Sequence, residues 1–211
     1  MPFEVRDLGH MAYGPALQVQ LSLLEDVLAG RAQNTLLLVD HDPVLTLGAN
    51  FHEEHLLLSL AEYEARGIQV VRSDRGGDVT FHGPGQLVIY PIFNVAELGK
   101  DLHRWLRDLE ETMLVATETF GLAGRRFAPH TGVWIGDRKI AAIGIKMRRW
   151  VSMHGIALNC DTDLGAFDLI VPCGIGAYGV TSLSQELGYR ISISDAKPAV
   201  VDAFQRVFAT R

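Results

Sequence analysis

Cysteine is scarce. Cys160 and Cys173 are the only two in 211 residues, too few to staple a fold of this size, so both read as thiols of a reducing compartment. Positive charge is in deficit, with 19 Lys and Arg against 25 Asp and Glu and a net charge of −6. That balance argues against a broad nucleic-acid surface. Long apolar runs are missing as well. The longest stretch free of Asp, Glu, Lys and Arg, Val79 to Ala96, holds His82, Pro84, Pro91 and Asn94 and is no membrane span. Near the start, Glu4, Arg6 and Asp7 stand where a signal peptide needs an apolar stretch. A cytoplasmic protein that meets neither membrane nor nucleic acid is expected. Repeats, low-complexity tracts and linkers are also lacking. The length fits one domain over 1–211, with room for a small C-terminal lobe from about residue 161, where the chain turns loop-rich.

The common catalytic signatures are absent too. Neither GxxxxGK[ST] nor GxGxxG occurs, so a phosphate cradle lacks its lysine and its spacing. His52-Glu53-Glu54-His55 matches no zinc signature and the cysteines are not paired as CxxC, so no metal is expected. The HEEH run reads instead as an exposed acidic turn opening the 55–66 segment. The GxSxG elbow of α/β-hydrolases is missing.

What is present is ordinary globular composition, 48% hydrophobic and 21% charged, which excludes wholesale disorder. Leu17, Leu21, Leu24 and Leu28 form one helical stripe that Gly30 ends. Residues 101–120 line up Leu102, Leu106, Leu109, Met113, Ala116 and Phe120. Val200, Phe204, Val207 and Phe208 repeat the pattern, with Pro198 placed in the first turn. Strands are expected at Thr35–Val39, Val44–Leu47, Ile68–Val71 and Gln86–Phe93. A meander follows, with Val133–Ile135 and Lys139–Lys146 joined at Gly136-Asp137. Val151–Cys160 comes after the polar stretch Lys146-Met147-Arg148-Arg149. Helices among hairpin strands argue for an α+β fold with a mixed or antiparallel sheet and flanking helices.

Two segments carry candidate chemistry. Among 21 glycines, four fall between Arg75 and Gln86, in RGGDVTFHGPGQ, where they allow close backbone approach; Arg75 and His82 add polar groups. The second is Cys173, held between Pro172 and Gly174, where neither helix nor central strand is comfortable. Cys160 alternates with Ile156 and Leu158 on one strand face and reads as core. A thiol of pKa about 8.5 needs a nearby cation or histidine to become thiolate at neutral pH. Lys139, Lys146, His82 and His154 are the candidates, and spacing does not choose among them.

Three ordered motifs, RGGDVTFHGPGQLVIYPI, GDRKIAAIGIKMRRWVSMHGIALN and PCGI, resemble those of lipoyl(octanoyl) transferases of the biotin/lipoate protein ligase superfamily. The resemblance runs from about Arg75 to Ser184. It implies an acyltransferase that moves an octanoyl group from acyl carrier protein to a lysine of the lipoyl domains of 2-oxoacid dehydrogenases and of the glycine cleavage H protein. The family's nucleophile falls on Cys173 and its catalytic lysine on Lys139, 34 residues earlier. Its acyl-binding loop falls on Arg75, Gly76, Gly77, Asp78, Val79, Thr80, Phe81 and His82. Further substrate contacts fall on Ala142-Ile143-Gly144 and Gly155-Ile156-Ala157. Apart from the resemblance, His82 and His154 are candidates for a proton-transfer or orienting role. No cofactor is implied, since thioester exchange followed by amide formation needs no ATP. Two alternatives share the fold: an ATP-dependent lipoate-protein ligase, and a non-catalytic relative that only binds lipoyl domains.

Overall fold

The leucine stripe becomes helix α1, Tyr13–Leu28, and the two later stripes become α3, Leu102–Thr119, and α5, Ile193–Ala209. The computed structural model describes residues 1–128, 130–171 and 178–209. Short helices α2, Leu60–Ala65, and α4, Leu183–Leu187, complete the α-helical set among the described residues. A capping box between Ser59 and Glu62 starts α2, which explains a helix too short to show periodicity. Helix α5 begins five residues before Pro198, not at it. Ser192 and Asp195 cap it reciprocally, the Asp195 N–H donating to Ser192 Oγ at 3.3 Å. Pro198 therefore lies in the second turn, where it removes one intrahelical donor.

The strands are β1 Glu4–His10, β2 Thr35–Asp40, β3 Val44–Leu47, β4 Gln69–Arg72, β5 Val79–His82, β6 Gln86–Ile92, β7 Arg125–Phe127, β8 His130–Ile135, β9 Arg138–Arg148, β10 Val151–Asn159 and β11 Gly179–Val180. The large sheet has the order β1-β2-β6-β10-β9-β8-β7, with β11 beside β9. Its pairs are antiparallel except β1·β2 and β11·β9. A smaller sheet has the order β4-β3-β5. The architecture is α+β, as the hairpin pattern indicates. The Gly136-Asp137 turn joins β8 to β9, with Ile135 opposite Arg138. Residues Lys146 to Arg148 belong to β9; the turn into β10 is Arg149-Trp150, both at positive φ.

Period-two alternation sorts the large sheet's faces. Leu87, Ile89, Ile156, Leu158 and Cys160 face α3 and α5, packing with Trp105, Phe204 and Phe208. Val88, Tyr90, Ile92 and Ala157 face the other way. There α1 covers part of the surface with Ala16, Leu23 and Leu24. The remainder of that face lies open beneath the small sheet and the glycine-rich segment, and the candidate site occupies this gap.

Candidate active site

The floor of the site is a patch of small residues. Ala157 of β10 sits opposite Ala142 of β9 and Val88 of β6, and Gly155 sits opposite Gly144. Above them lie Arg75, Gly76 and Gly77, with Thr80 and His82 from β5 at the side. Tyr13, Tyr90 and His154 complete the cleft. Thus Arg75, Gly76, Gly77, Thr80, His82, Ala142, Ile143, Gly144, His154, Gly155, Ile156 and Ala157 all line one cavity. Segments about 80 residues apart in the chain converge there.

The glycines serve the backbone before they serve any ligand. A Cβ on Gly144 would sit 2.9 Å from the Gly76 carbonyl oxygen, and one on Gly155 would lie 2.2 Å from that of Ile89. The Gly76 N–H donates to the Ile145 carbonyl at 2.8 Å, so the glycine-rich segment is laid directly on β9. Arg75 is buried and anchors that segment. Its Nε donates to Thr46 Oγ1 at 3.0 Å and its Nη1 to the Gly76 carbonyl at 3.0 Å.

Strand β5 divides the rest of the predicted acyl loop. Thr80 and His82 face the cleft, while Val79 and Phe81 turn into a separate apolar cluster with Leu45, Tyr63 and Phe167. Asp78 lies below the segment as a post. It accepts from the Val79 N–H at 2.7 Å and the His52 N–H at 3.3 Å, and it pairs with His55 Nδ1. The HEEH run is an exposed turn for three of its four residues: His52, Glu53 and Glu54 are exposed, while His55 bonds inward.

His82 is held in one tautomer. Gln86 Nε2 donates to the Phe81 carbonyl at 3.1 Å and to Asn159 Oδ1 at 3.0 Å. Its Oε1 must then accept, at 2.7 Å, from His82 Nδ1–H. Thr46 Oγ1, already accepting from Arg75, turns its hydrogen toward His82 Nε2 at 3.4 Å. Burial, with His41 adding a like charge, pushes the His82 pKa down to about 3. A ring so saturated is an orienting group and stays neutral.

His154 departs from strand alternation. Strict alternation would place it with Ile156 and Leu158 on the α3 side. Its φ of +56 turns it to the cleft instead, where Nε2–H donates to Asp74 Oδ1 at 2.7 Å. Burial lowers its pKa, although Asp74 opposes the shift. Asp74 also accepts from Lys146 Nζ at 2.5 Å, so Lys146 is tied to the outer edge of the site.

Lys139 stands at the opposite end. It lines two further pockets that share Ala142 with the main cleft, one with Gln86, Asn159 and Val180, the other with Gly76 and Gly77. Its Nζ lies over the Trp134 ring, 4.9 Å from the centroid. Val180 pairs with Lys139, so the chain re-enters the described structure beside this lysine. Cys173 lies outside the described residues. Cys160 is fully buried on the α3 side, where burial raises its pKa to about 12, fitting its core reading.

Four residues of the site carried no sequence signal. Tyr13 opens α1 and shares a hydrogen bond with Ser73 Oγ at 3.0 Å. Tyr90 donates its O–H to His41 Nε2 at 2.8 Å, and His41 Nδ1–H donates to the Met11 carbonyl at 2.7 Å. Asp74 precedes the glycine motif by one residue.

A cleft roofed by glycines and floored by alanines, with a lysine at one end, thus lies on a mixed sheet flanked by helices. The family profile of the lipoyl protein ligase A/B catalytic domain matches residues 12–205. An octanoyltransferase of Chloroflexus aurantiacus is 46% identical over 208 residues, covering 97% of this chain and 93% of that protein. One of Geobacter metallireducens is 46% identical over 200 residues, covering 95% and 91%. Among solved structures, a bi-partite lipoate protein ligase from Thermoplasma acidophilum, studied with its E2 lipoyl domain, superposes with a TM-score of 0.75. It shares 19% identity, with 99% of this chain and 84% of that one covered. The chain belongs to the lipoyl protein ligase A/B catalytic-domain family, on its octanoyltransferase branch, and is an acyltransferase.

Proposed function

We propose that the chain moves an octanoyl group from the thioester of an acyl carrier protein to a lysine amine of lipoyl domains, through a thioester on Cys173. The carrying observation is the convergence of the glycine-rich segment, Ala142–Gly144 and Gly155–Ala157 on one cleft with Lys139 at its end. The octanoyltransferase relatives support the acyl group, and the Thermoplasma ligase studied with its E2 lipoyl domain supports the acceptor class. Lipoyl domains of 2-oxoacid dehydrogenases and the glycine cleavage H protein are the acceptors this reading names. The whole chain acts as one catalytic domain, because α5 buries Val200, Phe204 and Phe208 in the same cluster as the sheet.

The chemistry runs in two exchanges. The Cys173 thiolate attacks the carrier's thioester carbonyl, and the carrier thiolate leaves and takes a proton. A lysine amine then attacks the Cys173 thioester, loses a proton, and releases the Cys173 thiolate. Lys139 serves as counter-ion to the thiolate and passes protons at each exchange. The amide is the more stable product, so no nucleotide is needed. His82 and Asp74-bound His154 orient the walls.

Incubation with octanoyl-acyl carrier protein is expected to leave an octanoyl adduct on Cys173, read by intact mass and peptide mapping. Cys173→Ser should lose turnover, and Lys139→Ala should slow transfer by roughly 10²–10⁴-fold. An adduct-free wild type together with unimpaired transfer by Cys173→Ser would end this reading. Dependence of activity on ATP would favour a ligase.

An acidic carrier needs positive charge on an acidic enzyme. Arg126 is taken up by Glu110 and Glu111, Arg125 by the Gly136 carbonyl and Lys146 by Asp74. Arg148 pairs with exposed Glu25, and Arg149 projects from the β9–β10 turn. Charge reversal at Arg148 and Arg149 together is expected to raise the KM for carrier protein roughly tenfold and flatten its salt dependence. Steady-state kinetics across ionic strength decides it, and unchanged values remove these arginines from docking.

A further inference from the structure

The cleft has an open end and a stopped end. Val88, Ala157 and Ala142 make one row of its floor, and Gly155 and Gly144 make the next. Beyond the second row the same sheet face is no longer free. Ile92, Val151 and Met153 are buried there under Leu23 and Leu24 of α1. At that boundary stand Tyr90, 3% exposed, and Tyr13, 4% exposed, which opens α1 itself. Neither ring is loose. Tyr90 is fixed by its hydrogen bond to His41, and Tyr13 is held by Ser73 and stacked on His82 with rings 6° from parallel.

Distance along the strand turns this boundary into a length. Gln86, which lines the pocket beside Lys139, lies four residues before Tyr90 on β6. Four residues of strand span about 13 Å. An extended octanoyl chain, with carbon–carbon bonds of about 1.5 Å, spans about 9 Å. The thickness of an aromatic ring accounts for the remainder.

We propose that Tyr13 and Tyr90 form the end wall that limits the length of the acyl chain the enzyme accepts, with the carbonyl at the Lys139 end. This rests on the acyl-transfer reading above and adds a specificity determinant to it. Each methylene that finds room on the alanine and glycine floor strengthens binding about fourfold. The first methylene to meet the tyrosines gains nothing and must displace a buried ring.

The test begins with the wild type, so that it does not depend on any variant folding. Acyl-enzyme formation is measured by mass spectrometry with hexanoyl, octanoyl, decanoyl, dodecanoyl and tetradecanoyl carrier proteins in competition. Loading is expected to rise with length, then break off sharply. Tyr90→Ala and Tyr13→Ala are each expected to move the break to longer chains, raising dodecanoyl over octanoyl loading at least tenfold. Tyr90→Phe, which keeps the ring and loses the His41 bond, should leave the break where it was. Loading by the wild type that rises through tetradecanoyl without a break overturns the wall. A folded Tyr90→Ala and Tyr13→Ala, each with the wild-type break, overturns it too. Failure of the wild type to load any donor instead brings down the acyl-transfer reading, and the wall with it.

Discussion

Gly155→Ala is expected to destabilise the protein by about 3 kcal/mol or more, at the upper end for overpacking, and to lower Tm by roughly 10 °C for a domain of this size. The added Cβ would lie 2.2 Å from the Ile89 carbonyl oxygen and 2.7 Å from Pro91 Cδ. Both obstacles belong to β6, in the middle of the large sheet, and neither can rotate away. Relief would require β10 to separate from β6, which undoes the floor of the cleft. Activity should therefore fall with stability. Gly30→Ala is the matched control. Gly30 has a φ of +68 but nothing within 4 Å of its added Cβ, so that change costs only the positive-φ term, about 1 kcal/mol. Thermal melts of the two variants decide the matter. A Gly155→Ala protein that melts beside Gly30→Ala would show that the sheet yields more easily than its packing indicates.

Acid is expected to unfold the protein through its buried histidines. His82, His41 and His154 all have pKa values held below the ordinary 6.5, chiefly by burial. The unfolded chain thus binds protons that the folded chain refuses. Stability from this source is complete above pH 6.5, the unfolded value, and drains away as pH falls toward the His82 value of about 3. For His82 alone the loss between neutrality and about pH 4.5 is roughly 2–3 kcal/mol. The Asp74 carboxyl, which burial pushes up but Lys146 and His154 hold low, adds a loss of the same sign at lower pH. Denaturant melts across this window should show the fall. His82→Gln, less stable at pH 7, should show a shallower slope between about pH 6.5 and 4.5. Parallel slopes for the two proteins would assign the acid sensitivity elsewhere.

Fold and site were legible in the sequence to different depths. The helices α1, α3 and α5 announce themselves because each buries one stripe against a sheet, and β3 appears at Val44–Leu47 with the boundaries expected. Strand β1 does not, because Glu4–His10 is an edge strand with exposed and half-buried side chains and no apolar alternation. Strand β5 is hidden inside the glycine-rich segment, which reads as a turn until β3 is there to pair with it. The motif residues were legible as a set, and most of them do meet in one cleft. Their division was not: Val79 and Phe81 leave the cleft by simple alternation, visible only once β5 is recognised as a strand. His154 enters it against alternation, through a backbone angle that no side-chain pattern encodes. Tyr13 of α1, His41 of the β2–β3 connection and Tyr90 of β6 are far apart in the chain, and their meeting is a product of tertiary packing.

Tyr90 belongs at once to the cleft and to the apolar cluster beneath α1. Substrate choice and mechanical integrity are therefore written into the same atoms. Enlarging the site by trimming that ring opens a void in a load shared with Leu37, Val39 and Leu24, so any drift toward longer substrates is taxed by a loss of cohesion. A lineage or an engineer seeking a new chain length must first accumulate spare stability elsewhere, for instance in the helix caps or at the strained Arg149-Trp150 turn.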